Sequence, residues 1–262
     1  MPSMLSWINL ADTAREVEAQ RESTGLGARN LLTEPVAEIW RIPQTAGLGT
    51  SLWLEWAEPI EVGVIALFAP RDGYMPPGFT AQAIGSIVAR DGSDVFNSGT
   101  AALNLEANRG AWWYWPAAPV TIQYLRLRFV AAADDGYLQF GRLWVGPDFR
   151  PTVGAEDADF RRGWTDAGVV ERAAISGVAS VQRGATARAP RWSLGMLSED
   201  EADEIEDCAA AVGSTGQVIA NARTDRGAKD LVLGRFSAPL EVVGIPGFPD
   251  LFRAEIAMLE DL

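Results

Sequence analysis

Between Tyr124 and Val130, Leu125, Leu127 and Phe129 alternate with Arg126 and Arg128. A period of two puts the apolar side chains on one face of a β-strand and the arginines on the other, whereas a helix would scatter both sets. A strand with one dry and one wet face belongs in the middle of an antiparallel sheet. Ser51 to Trp56 repeats the pattern with Leu52, Leu54 and Trp56. After Pro59, the run Val62 to Phe68 is apolar on both sides, as in a strand held between two layers. Tyr137 to Val145 reads as a further strand with Leu138, Phe140 and Trp144 on one face. Turn formers at Pro70-Arg71-Asp72-Gly73, Asp91-Gly92 and Asp134-Asp135-Gly136 separate these strands, and no helix-length amphipathic pattern interrupts Leu52 to Gly146. The expectation is a β-sandwich over residues 30–150, preceded by an N-terminal arm over 1–29.

Gly146-Pro147 ends that block, and the stretch to Asp159 has the turn-rich composition of a domain junction. Beyond it, a second β-domain over 151–262 carries one helix. Val169 to Arg183 and Pro190 to Leu197 read as strands. Ser198-Glu199-Asp200-Glu201 then forms a capping box, so a helix is predicted over about 199–212. Ala202, Ile205, Cys208, Ala209 and Val212 make its apolar stripe, and Gly213 stops it. Its seven carboxylates between Glu199 and Asp207 favour the positive end of the helix dipole. They read as a solvated face, since no liganding loop accompanies them for a cation. Gln217 to Ala222, Leu231 to Phe236, Leu240 to Gly244 and Leu251 to Leu259 supply four more strand segments.

The chemistry such a chain can perform is limited by what it lacks. Among 262 residues there is no histidine and one cysteine, Cys208. That removes the commonest general base, the usual zinc ligand sets and every Ser-His or Cys-His nucleophile pair. No phosphate-binding glycine motif or nucleophile elbow is present. The expectation is therefore a protein that is not an enzyme and needs no cofactor or metal. Carboxylate-only glycan hydrolysis is the remaining catalytic option, and nothing marks which two acids would serve. A net charge of -13 with Lys229 as the only lysine argues against nucleic acid as a partner. No signal-peptide pattern opens the chain, and the longest apolar stretch, around Val62 to Ala69, is too short for a bilayer. Folding inside the cell without membrane insertion is expected.

Trp112-Trp113-Tyr114-Trp115 is the unusual positive feature, in a chain with ten tryptophans. On a strand, Trp112 and Tyr114 face one way and Trp113 and Trp115 the other, so one pair enters a core and the second needs a cover. Three covers are open: packing under a loop, a subunit interface, or a sugar ring stacked on Trp113 or Trp115 with Arg109 as the nearby polar group. The number of tryptophans also predicts oligomerisation, because it exceeds what two modest cores need.

Ala28-Arg29-Asn30-Leu31-Leu32-Thr33, Ile39-Trp40-Arg41, Ser51 to Trp56, Val64 to Leu67, Phe96-Asn97-Ser98-Gly99, Tyr124 to Phe129 and Phe140 to Gly146 follow in order along the first block. This series resembles the galactose-binding-like jelly rolls, of discoidin type, found in phage tail proteins. Pro190 to Leu194, the acidic helix, Leu231 to Phe236 and Phe252 to Ile256 are similar to the strands-plus-helix unit of tail-tube and distal tail proteins. The resemblance implies a siphophage-type structural protein of the virion, assembled in the host cytoplasm. It would form a homo-oligomeric ring, six-fold or three-fold, joining the tail tube to the baseplate hub and receptor-binding apparatus. The alternative it implies is an adhesin whose jelly roll binds a host surface glycan. Sugar contacts in such jelly rolls lie on end loops, and no binding residue is carried over from them.

Overall fold

A computed structural model of the chain describes residues 2–43, 49–70, 78–131, 137–155, 160–166, 169–172, 179–182 and 184–261, of which 169–172 and 179–182 by their backbone alone. The chain is mostly β, and Glu199–Val212 is the one α-helix among the described residues. The alternating segment lies in the strand Val120–Val130, which pairs antiparallel with Thr50–Val62 on one side and Thr80–Ser86 on the other. Leu127 stands opposite both Leu52 and Ala83, and with Leu125 and Phe129 it is buried. The strand is therefore central, as its period requires. Glu16–Ala19 and Phe96–Asn97 extend this sheet at its two sides.

Facing it is a layer of two smaller pairings, Trp40–Pro43 with Tyr137–Phe140, and Val64–Phe68 between Arg142–Gly146 and Ala111–Tyr114. The two layers enclose a core that includes Trp40, Trp56, Leu67, Phe129 and Phe140, completing a jelly-roll type of β-sandwich. Val64–Phe68 is buried along its whole length, as a strand with a layer on either side must be. Its outer face is covered by the second block.

The strand expected over Tyr137 to Val145 is two strands, broken at Gly141. The Gly141 N–H donates to the Phe68 carbonyl at 2.7 Å, and a Cβ there would lie 1.8 Å from the Val36 carbonyl oxygen. Only glycine lets the chain pass. Before the break Leu138 and Phe140 enter the sandwich core, and after it Leu143 and Val145 do so while Trp144 turns away. The expected shared face of Leu138, Phe140 and Trp144 is corrected accordingly, because one irregular residue reverses the parity of all that follow it.

The second block is a sheet in the order Met4–Ser6, Val218–Asn221, Leu231–Phe236, Phe248–Glu260, Arg191–Leu197, with Val242–Ile245 also on Phe248–Glu260. Residues 1–29, read as an arm, contribute Met4–Ser6 to this sheet and Glu16–Ala19 to the sandwich. The helix packs Ala202, Ile205, Cys208 and Val212 onto the sheet, and Ala209 is half-buried. Its capping box is complete: Ser198 accepts from the Glu201 N–H, and the Glu201 carboxylate accepts from the Ser198 N–H at 2.9 Å. Burying a side chain of Ile205's size stabilises the fold by about 1.5–3 kcal/mol. The expected strand over Val169 to Arg183 is a hairpin, Val169–Arg172 with Ala179–Gln182, and 173–178 and 183 lie outside the described residues. The turn signals at 71–73 and 134–136 lie outside them as well.

Candidate functional site

The two blocks meet over a shared apolar seam. Val64, Ala66, Phe68, Ala111 and Trp144 come from the sandwich, Met4, Ile219, Leu231 and Leu233 from the second sheet, and Ala228 from the 3-10 turn Thr224–Asp230 beside it. Trp144 anchors it: its indole N–H donates to Ser6 Oγ at 2.9 Å, and Ser6 Oγ donates to the Pro147 carbonyl at 2.5 Å. No helix among the described residues is long and apolar enough to cross a membrane.

The aromatic strand Ala111–Tyr114 divides as its alternation predicts. Trp112 and Tyr114 pack on the sandwich core, with Tyr114 stacked on Phe96 at 4.9 Å between ring centroids. Burial pushes the Tyr114 hydroxyl above its ordinary pKa. Trp113 and Trp115 pack on the seam and stack on each other at 5.5 Å with 11° between planes. The Trp115 N–H donates to Asp148 Oδ2 at 2.5 Å, Arg150 Nε donates to the same oxygen at 2.7 Å, and the Arg150 guanidinium lies 4.7 Å from the Trp115 ring centroid. Asp148 is reached because Gly63 has no Cβ, which would stand 1.7 Å from Asp148 Oδ1. The second block of the same chain thus covers part of the aromatic face, and Trp113 and Trp115 remain half-buried. The other tryptophans are accounted for in the same way, by cores or, for Trp53, by an N–H bond to Asp91 with Arg90 over its ring; Trp164, at 56%, is the exposed one. Surplus tryptophan therefore does not by itself call for a partner subunit.

Arg109 stands apart from that pair. It closes the loop before the aromatic strand with a φ of 58°, a left-handed conformation uncommon for a residue with a Cβ. Its guanidinium lies 5.9 Å from the Trp164 ring centroid and lines a crevice with Phe160, Arg162, Arg188 and Asp230. Burial, and then repulsion from Arg188 and Arg162, hold Arg109 below the ordinary arginine pKa despite Asp230 and Glu260. Arg162 donates to Asp230 at 3.0 Å, Arg223 Nε donates to Asp230 at 2.9 Å, and Arg188 Nε donates to Glu260 at 2.6 Å. Of these residues sequence reading singled out Arg109 alone. Arg162, Arg188, Asp230 and Trp164 come together only through tertiary pairing of Trp164–Asp166 with Thr186–Arg188, which no local pattern announces.

Elsewhere the chemistry is sparse. Cys208 is buried in the helix–sheet core, and burial together with the nearby Glu204 pushes its thiol up to about 12, far from a reactive thiolate. A crevice of about 380 Å³ between the end of the helix and the segment Phe236 to Leu240 contains no acid or base. Among the described residues no group of three or more acidic or cysteine side chains is placed to hold a metal ion.

No protein-family model matches this sequence, and no curated protein matches it. Among solved structures, the chain is similar over 54% of its length to CBM32-3 from a family 31 glycoside hydrolase of Clostridium perfringens, with 16% identity, 90% of that chain covered and a TM-score of 0.40. A fucose binding module of Streptococcus pneumoniae matches over 53% of this chain and 95% of its own, with 9% identity and a TM-score of 0.40. XRCC1, solved in reduced form bound to the DNA pol beta catalytic domain, matches over 51% of this chain and 97% of its own, with 14% identity and a TM-score of 0.39. These values decide no ligand and no partner for this chain.

Proposed function

We propose that this chain is a non-catalytic structural protein of a phage tail tip or baseplate, of the distal tail kind, which joins copies of itself and neighbouring tail proteins. The observation that carries the reading is the free end of the second sheet. There the hairpin of Val242–Ile245 and Phe248–Glu260 leaves Val243 at 54% and Phe248 at 59% exposed. Met196, at 58%, belongs to the strand on the other flank of Phe248–Glu260. Val242–Ile245 pairs on one side only among the described residues, and an open edge with apolar side chains is a template for another chain. The absence of histidine adds support to a role without catalysis. Electron microscopy of virions with labelled antibody against this chain tests the reading: label at the tail tip is expected, and a particle free of the chain would overturn it.

A second reading, carbohydrate binding by the jelly roll, is supported by a different observation. Trp113 and Trp115 stack on each other in the seam, but the sandwich residue Arg109 lies beside Trp164 of the second block, which is 56% exposed. A glycan array on the whole chain tests it, and binding to no glycan would remove it.

A further inference from the structure

The strand Phe248–Glu260 turns Ala254 and Ile256 toward the helix, so Arg253 and Glu255 point to the opposite face of the second sheet. There they line an open crevice of about 200 Å³ together with Arg161 and Arg191. Arg161 and Arg191 are held side by side by their backbones, each N–H donating to the other's carbonyl at 2.7 and 3.0 Å. All four side chains are exposed, and the three arginines make no ion pair among the described residues. Three cations thus gather around one acid in a chain whose net charge is -13. Val243 stands directly opposite Arg253, so its exposed side chain shares this face and continues it to the open edge.

The other face of the same sheet carries the opposite charge. The helix Glu199–Val212 buries Ala202, Ile205, Cys208 and Val212 and contains no basic residue. Asp200, Asp203 and Asp207, at spacings of three and four, share the side turned away from that stripe, where they are exposed and unpaired. Within one chain each set repels itself, since like charges four apart on a helix destabilise it. Arginine forks fit carboxylates, so each set is what the other lacks. We propose that the acidic helix face of one copy docks on the arginine-lined sheet face of the next, with Val243 as the apolar part of the contact. The contact rests on the assembly reading and names its two surfaces. Because these surfaces are different patches on opposite faces of one sheet, the contact is head-to-tail, and it closes a ring wherever the rotation between copies allows.

The test is sedimentation velocity on the full chain at low and high salt, with the double variants Arg191→Glu/Arg253→Glu and Asp203→Lys/Asp207→Lys. The four positions are exposed, and circular dichroism checks the folding of each variant. Wild-type association is expected to weaken as salt rises. Each double variant alone is expected to associate about tenfold or more weakly, and an equal mixture of the two to recover large species, because the reversed surfaces attract each other. Either variant associating as wild type does, or a mixture of folded variants that fails to recover, would overturn the contact. If the wild type associates in that case, self-association stands on another surface. A wild type that stays monomeric at low salt and every concentration would overturn both.

Discussion

The indole N–H of Trp144 donates to Ser6 Oγ at 2.9 Å in a buried setting, and the two residues belong to different sheets. Ser6 passes the interaction on to the Pro147 carbonyl. One hydroxyl thus ties the first strand of the chain to the last strand of the sandwich and to the start of the junction. Ser6→Ala leaves the buried Trp144 donor and the half-buried Pro147 carbonyl without this partner, and is expected to destabilise the protein by about 1–3 kcal/mol. Urea unfolding followed by tryptophan fluorescence measures it. If the blocks share this seam in solution, wild type and variant each unfold in one transition.

Gly141 is the residue that turns Trp144 toward the seam. Gly141→Ala sets a methyl against the Val36 carbonyl, a backbone atom that cannot swing aside. A loss of about 1–3 kcal/mol or more is expected from overpacking. Denaturation midpoints check the size, and near-ultraviolet circular dichroism checks the aromatic seam.

Much of this architecture is legible in the residues. The period of two at Tyr124 to Val130, the capping box at Ser198 and the opposed faces of Trp112 and Trp113 each follow from a local rule, and local rules survive tertiary context when a whole element obeys them. Trp144 does not follow, because its side depends on a single tight passage at Gly141 that leaves no mark in the hydrophobic pattern. Nor does the company of Arg109: Arg188 and Asp230 reach it from segments distant in sequence, which no local pattern ties together. Met4–Ser6 is too short a strand to show any period at all.

Ser198 and Glu201 satisfy two backbone donors at the helix start. Ser198→Ala is expected to cost about 1 kcal/mol. Glu201 also accepts from the Thr152 N–H at 2.7 Å, linking the helix to the junction between the blocks. Thermal unfolding of Ser198→Ala and Glu201→Gln measures both, with the second variant also losing the junction contact.

Glu204 has its pKa raised above the ordinary 4.5 by burial and then by repulsion from Glu201, Asp148 and Asp207. A carboxyl with a raised folded pKa favours folding fully below its unfolded pKa, and that contribution is lost as pH rises through the folded value. Glu204→Gln is therefore expected to stabilise the protein at pH 7, by less than about 1 kcal/mol because solvent screens a largely exposed site. Near pH 4 the difference shrinks. Stability curves of both proteins between pH 4 and pH 7 test the sign, and a gap that widens toward low pH would contradict it.

Self-association through the open end of the second sheet is the claim on which the proposed function depends most. Sedimentation velocity on the purified chain over a range of concentrations, with Phe248→Ser and Val243→Ser beside it, tests that claim directly. Wild type is expected to form discrete species several times the 28.2 kDa monomer, and the two variants to shift toward monomer. A wild-type chain that remains a 28.2 kDa monomer at every concentration, indistinguishable from the variants, would contradict it.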